Sequence, residues 1–178
     1  DLIAELERVE ADAYILNSAG CGSFLEDYGH MLKDSPHWAE RAEAFAAKIK
    51  DITEFLVEVG PRPMTKALNK TVTYHDACHL RHGQKIYDAP RQLLKSIPGI
   101  HFVETVDSDL CCGSAGVYNY LQPEMASSLQ KKKVENLLAT KAEIVVTGNP
   151  GCLAWIEQGL PGKVKIVHPV ELLAAAYE

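Results

Sequence analysis

"KAEIVVTGNPGCLAWIE", residues 141–157, packs three local signals into one short stretch. Ile144, Val145 and Val146 form a β-branched run, which favours a pleated strand buried on both faces. Thr147 to Gly151 then supply Gly, Asn and Pro, the residues that break regular structure and turn the chain. From Cys152 onward, Leu153, Trp155 and Ile156 restore an apolar helical pattern. Strand, Gly-Cys turn and helix together read as half of a βαβ unit. The same order occurs near the start in "ADAYILNSAGCGSFLE", residues 11–26. With Cys21 set on Cys152, Ala11 meets Ala142, Gly20 meets Gly151 and Glu26 meets Glu157. The chain therefore reads as the end of one repeat followed by a complete second one. Cys21 is then expected to be the remnant of a separate, truncated site.

Outward from these stretches, "TVTYHD" (71–76), "HFVETV" (101–106) and "KVKIVH" (163–168) have the same short, β-branched character. Helical patterns lie between them. After Ser35-Pro36, apolar residues at Trp38, Ala42, Phe45, Ile49, Ile52 and Leu56 predict one face of a helix. "YDAPRQLLKSI", "PEMASSLQKKKVENLLA" and "PVELLAAAYE" read as three more. Alternating strands and helices imply an α/β fold with a mainly parallel sheet and helices on both faces. "VGPRPM" (59–64) marks a linker. The expected division is residues 1–60, the repeat end plus a connecting helix, and residues 61–178, the complete repeat.

Charge narrows the function. The 178 residues carry 24 acidic and 18 basic side chains, a formal charge of −6. No Lys/Arg stripe is available to neutralise phosphates, so nucleic acid is excluded as a partner. "QKKKVEN" (130–136) is read as a solvated helix face. No apolar stretch approaches a transmembrane span, and the acidic amphipathic start is not a secretory signal. An odd count of five cysteines does not suit a disulfide framework and points to a reducing, cytoplasmic compartment. The start lacks Met, which reads as a piece cut from a longer chain.

The cysteines carry the chemistry. Cys78 follows one expected strand, Cys111 and Cys112 a second, and Cys152 a third. In a parallel α/β sheet the strand C-termini open on one edge, where ligands bind. Four sulfurs from three loops are therefore expected to converge. Neighbouring thiolates such as Cys111 and Cys112 can each grip a different atom of a polynuclear centre. Gly113, Gly116 and Gly151 are the candidate cofactor-binding glycines; the first two let backbone N–H groups approach an anionic centre. Other readings stay open: a strained vicinal disulfide at Cys111–Cys112, a dithiol redox pair, or tetrahedral zinc. His75, His79 and His82 lack zinc-knuckle spacing and are assigned to hydrogen bonding or structure.

"HDACHL" (75–80), "CCGSAG" (111–116) and "GNPGC" (148–152) resemble the cysteine-rich (CCG) domain of the heterodisulfide reductase B family, within it most of all the glycolate oxidase iron–sulfur subunits. The resemblance spans nearly the whole chain and implies Rossmann-like CCG repeats. It implies that Cys78, Cys111, Cys112 and Cys152 ligate a [4Fe–4S] cluster, with zinc as the alternative. It also implies an electron relay from an FAD-containing partner subunit toward a quinone-side acceptor. A ferredoxin-like N-terminal domain is expected elsewhere in such a full-length chain, and attachment to the inner face of the membrane only through the complex. Lactate-utilisation and glycerol-3-phosphate dehydrogenase subunits share the pattern. The family's fullest motif ends in C-x-x-C; here Asn149 stands in the first of those places, so a five-cysteine set is incomplete.

Overall fold

The computed structural model describes residues 2–177. It begins with α1 (Leu2–Leu6), β1 (Tyr14–Leu16), α2 (Ala19–Glu26), α3 (Tyr28–Met31), α4 (Ala39–Ala46), β2 (Ile49–Asp51) and α5 (Ile52–Val59). β1 and β2 pair in parallel, Tyr14 against Ile49 and Leu16 against Asp51. Ile3, Ala42, Phe45 and Ile49 form the small core beneath this pair.

The helix expected across Trp38 to Leu56 is instead two helices separated by β2. The apolar spacing is real, but β1 needs a hydrogen-bonding neighbour, and the β-branched Ile49 supplies its register. Asp51 then restarts the helix: its carboxylate accepts from the Thr53 N–H at 2.8 Å, an N-cap. Sequence periodicity alone cannot reveal a three-residue strand that keeps the phase of the flanking helices.

After an extended segment, β3 (Lys70–Tyr74) runs into a single π-helical turn (His79–Gly83). Then come α6 (Asp88–Ser96), β4 (Ile100–Phe102), α7 (Tyr118–Leu121), α8 (Pro123–Ala139), β5 (Ile144–Val146), α9 (Pro150–Gly159), β6 (Lys165–Val167) and α10 (Pro169–Ala174). The four strands are all parallel, in the order β4-β3-β5-β6. Side chains alternate across each strand. Val72, Tyr74 and Val146 therefore pack with Leu93, Leu94, Leu172 and Leu173 of α6 and α10. Val145 and Ile166 face the other way, onto Val134, Leu137 and Ile156 of α8 and α9. Helices thus cover both faces, the α/β architecture expected. No helix among the described residues is long and apolar enough to cross a membrane.

The chain leaves β3 toward β4 on one side and returns to β5 on the other. The strand order therefore reverses between β3 and β5, and in such sheets the crevice beyond the strand C-termini at that point is where ligands bind.

Candidate metal centre

Cys78, Cys111, Cys112 and Cys152 all lie at this edge. Cys78 ends the stretch after β3 and caps the π-helical turn. Cys111 and Cys112 occupy the loop between β4 and α7, and Cys152 is the third residue of α9, directly after β5. Together they line a cavity of about 890 Å³. All five cysteines are free thiols, so Cys111 and Cys112 form no vicinal disulfide here. Cys21, assigned from sequence to a separate site, lines the same cavity and is exposed.

The two Gly-Cys turns share a backbone conformation. Ser18 before α2 has φ −139° and ψ 107°, and Asn149 before α9 has φ −138° and ψ 117°. The two Gly-Cys turns are bonded to each other. The Ala19 N–H donates to the Gly148 carbonyl at 3.1 Å, and the Gly20 N–H to Asn149 Oδ1 at 3.2 Å. The remaining hand of Asn149, its Nδ2, donates to Cys152 Sγ at 3.3 Å. The Asn149 side chain thus joins the two turns and supports the Cys152 sulfur.

The sulfurs are electrostatically coupled. Cys111 is pulled far below the ordinary thiol range, first by the adjacent Cys112 thiol and then by Cys78, with the Gly113 N–H at 3.4 Å assisting. Cys152 is drawn down to about 4, first by Cys112, against the effect of burial, then by His75 and Asn149. Cys112 and Cys78 are pushed up, each first by its contact with Cys111. The coupling therefore favours deprotonation at Cys111 and Cys152, the form in which thiols bind metal. Backbone and amide N–H groups directed at sulfur are the contacts that stabilise iron–sulfur centres. These residues fit such a group.

The supporting residues are only partly visible in the sequence. Gly113 has φ +93°, and an added Cβ would meet the backbone of Ala126 in α8. Gly116, φ +65°, faces open space, and it and Gly151 line the cavity. The sequence pattern puts Lys133 on a solvated face, yet it is fully buried. Its Nζ donates to the carbonyls of Asp107 at 2.6 Å and Ser108 at 3.1 Å, fixing the loop that carries Cys111 and Cys112. A helix-face pattern does not show that a neighbouring loop will fold over one lysine. Asp76 is 1% exposed and paired with Arg91.

His75, assigned from sequence to hydrogen bonding or structure, is buried close to the sulfurs of Cys112 and Cys152. It follows β3, its N–H donates to the Val146 carbonyl at 2.9 Å, and it is 1% exposed. Neither ring nitrogen has a hydrogen-bond partner. An unpaired buried polar group costs about 1–3 kcal/mol, so such groups persist where a site uses them. The available signal is the polar alternation of Thr73 and His75 in a strand otherwise buried. His79 Nδ1 lies 3.6 Å from Cys78 Sγ, and His82 stands at the surface near Asp109.

The chain is similar to known proteins that share its cysteine motifs. The family model described as the CCG cysteine-rich domain matches residues 72–157. The chain is 46% identical to the probable glycolate oxidase iron-sulfur subunit of Bacillus subtilis, over 98% of this chain and 41% of that protein. It is 38% identical to lactate utilization protein A of Oceanobacillus iheyensis, over 90% of this chain and 68% of that one. It is also 32% identical to the glycolate oxidase iron-sulfur subunit of Escherichia coli, over 94% of this chain and 40% of the relative. The chain thus spans less than half of two of these relatives and about two thirds of the third. With its three motifs meeting at one sheet edge, the chain belongs to the cysteine-rich (CCG) domain family.

Proposed function

We propose that this chain is the electron-transfer iron–sulfur module of a flavin-dependent glycolate oxidase, or glycolate dehydrogenase, complex. Cys78, Cys111, Cys112 and Cys152 hold one [4Fe–4S] cluster. The observation that carries the reading is the convergence of these four sulfurs, from three loops, on one cavity at the strand-order reversal. When bound, such a cluster supplies one-electron chemistry at a potential set by its surroundings. The chain's own part is to present thiolates, to donate N–H groups from Gly113 and Asn149, and to keep Cys112 and Cys152 buried. The names of the Bacillus subtilis and Escherichia coli relatives support the complex. Partner subunits would then carry FAD and oxidise glycolate, a ferredoxin-like domain of the same full-length chain would pass electrons onward, and the assembly would be cytoplasmic.

Anaerobic reconstitution tests this. The expected result is a brown protein with about four irons per chain, broad visible absorption, and loss of both in Cys111→Ser. A colourless, iron-free wild type after reconstitution refutes it. Partner identity is tested by co-purification of the full-length chain with an FAD protein and assay with glycolate and lactate; preference for lactate moves the assignment to the lactate-utilisation relatives.

A second reading is zinc, as a clamp for the loops in a module that docks a flavoprotein. It is favoured by one compact donor group: His75, Cys112 and Cys152 have ligand atoms all within 4.8 Å of one another. Stoichiometric zinc in native material, without iron–sulfide absorption, decides for it.

A further inference from the structure

We propose that His75 is a ligand, and that one metal atom is bound by its imidazole nitrogen together with Cys112 and Cys152. This deepens the second, single-ion reading above and rests on it for the site: an iron of a cubane keeps one protein ligand, so three donors on one atom belong to a lone ion. His75, Cys112 and Cys152 are the one group of His, Cys, Asp or Glu side chains among the described residues whose donor atoms mutually lie within 4.8 Å. Cys78 and Cys111 fall outside that group. Three donors that close suit a single tetrahedral ion with its fourth position left for another ligand.

Position and burial point the same way. His75 continues the central strand β3, and its N–H bond to Val146 locks it against β5 at the strand-order reversal. All three residues are buried. The imidazole lacks a partner on either nitrogen, although nothing around it is solvent. A ligating histidine uses one nitrogen for metal and orients the ring through the other. Pairing in register sets Thr73 opposite Val145 and carries His75 alongside Thr147, on the same sheet face. The hydroxyls of Thr73 and Thr147 on that face are likewise buried without partners. Cys152 is steadied from the other direction by Asn149 Nδ2.

Cobalt(II) is the probe, added anaerobically to the metal-free chain. Wild type should bind it tetrahedrally, with thiolate charge-transfer bands. With 15N-histidine labelling, electron–nuclear double resonance should give the coupling of a directly bonded nitrogen. His75→Gln, which keeps most of the volume, should weaken cobalt at least about tenfold and abolish that coupling. Cys78→Ser should bind cobalt like wild type. The inference is overturned if wild type binds no cobalt, if the bound ion shows no nitrogen coupling, or if His75→Gln, folded by circular dichroism, binds unchanged. Failure of iron reconstitution with an intact nitrogen-coupled cobalt site would end the electron-transfer proposal and leave this one standing. Iron uptake without any histidine coupling would do the reverse.

Discussion

Asp76→Asn should unfold this chain far more easily, although the change is isosteric and touches no sulfur. Asp76 accepts two bonds from Arg91, at 2.8 and 2.7 Å, and one from Arg81 at 3.2 Å. Its N–H donates to the Ser108 carbonyl at 3.1 Å, so the pair links the Cys78 loop, α6 and the approach to Cys111. The Arg91 and Asp76 side chains are only 5% and 1% exposed. Removing one partner of a buried ion pair costs about 3–5 kcal/mol, because the other charge stays buried. Arg91 keeps Glu104, at 2.6 and 3.1 Å, and the Tyr87 carbonyl at 3.0 Å. The loss should therefore lie near the low end, about 3 kcal/mol. With a urea slope of about 2 kcal/mol/M, the midpoint falls by roughly 1.5 M. Burial alone pushes the Asp76 carboxyl up, but the bonds from Arg91 and Ser108 reverse this and hold it below the usual carboxylate range. A depressed carboxylate stabilises the fold above its unfolded value of 3.8, and that stability drains away as pH falls through the lower folded value. The gap between wild type and variant should be level near neutrality and close in acid. A gap under about 1 kcal/mol at neutral pH, or one that persists unchanged in strong acid, refutes the reasoning.

Three further outcomes follow. Gly113→Ala should lower the melting temperature and iron uptake well beyond Gly116→Ala: both carry the left-handed backbone cost of about 1–2 kcal/mol, but only the first meets the Ala126 backbone. Glu26→Gln should stabilise the metal-free chain in mild alkali and not in acid. Burial, then Glu54 and Asp51, raise Glu26 to about 7, so its ionisation costs stability progressively from 4.5 upward. Solvent screening keeps that gain small, and melting curves on either side of neutrality check it. Lys133→Met should leave α8 intact by circular dichroism but expose the Cys111 loop to limited proteolysis, since two carbonyls lose their shared ammonium donor.

How much of this is written in the sequence depends on the range of the interaction. The strand cores at Tyr14–Leu16, Ile144–Val146 and Lys165–Val167 sit inside the β-branched runs, and α8 covers Pro123–Ala139 as its pattern predicts. Those signals are local. β2 is not legible, because its identity depends on β1 across the fold rather than on its own pattern. Lys133 misleads for a related reason. A lysine in a basic run is ordinarily solvated. What reverses this is the company of a distant loop, the carbonyls of Asp107 and Ser108. The four cysteines are legible because the parallel topology that gathers them can be inferred before any distance is known.

The same topology explains why the first 60 residues belong to the cavity. α2 and α9 start from turns of nearly identical backbone angles, tied to each other through Gly148 and Asn149. Gln84, just after the π-helical turn, donates to the Ala19 carbonyl at 2.9 Å, so the Cys78 segment is held to α2 as well. Both helix N-termini, with their positive dipole ends, therefore border one cavity whose four converging sulfurs come from only one half. Ser18, Cys21, Phe24 and Glu26 form the opposing wall. Without that wall the sulfurs would remain on their strands, but Asn149 would lose the Gly20 N–H that positions its amide on Cys152. The half that contributes none of the four converging sulfurs thus governs how firmly one of them is held.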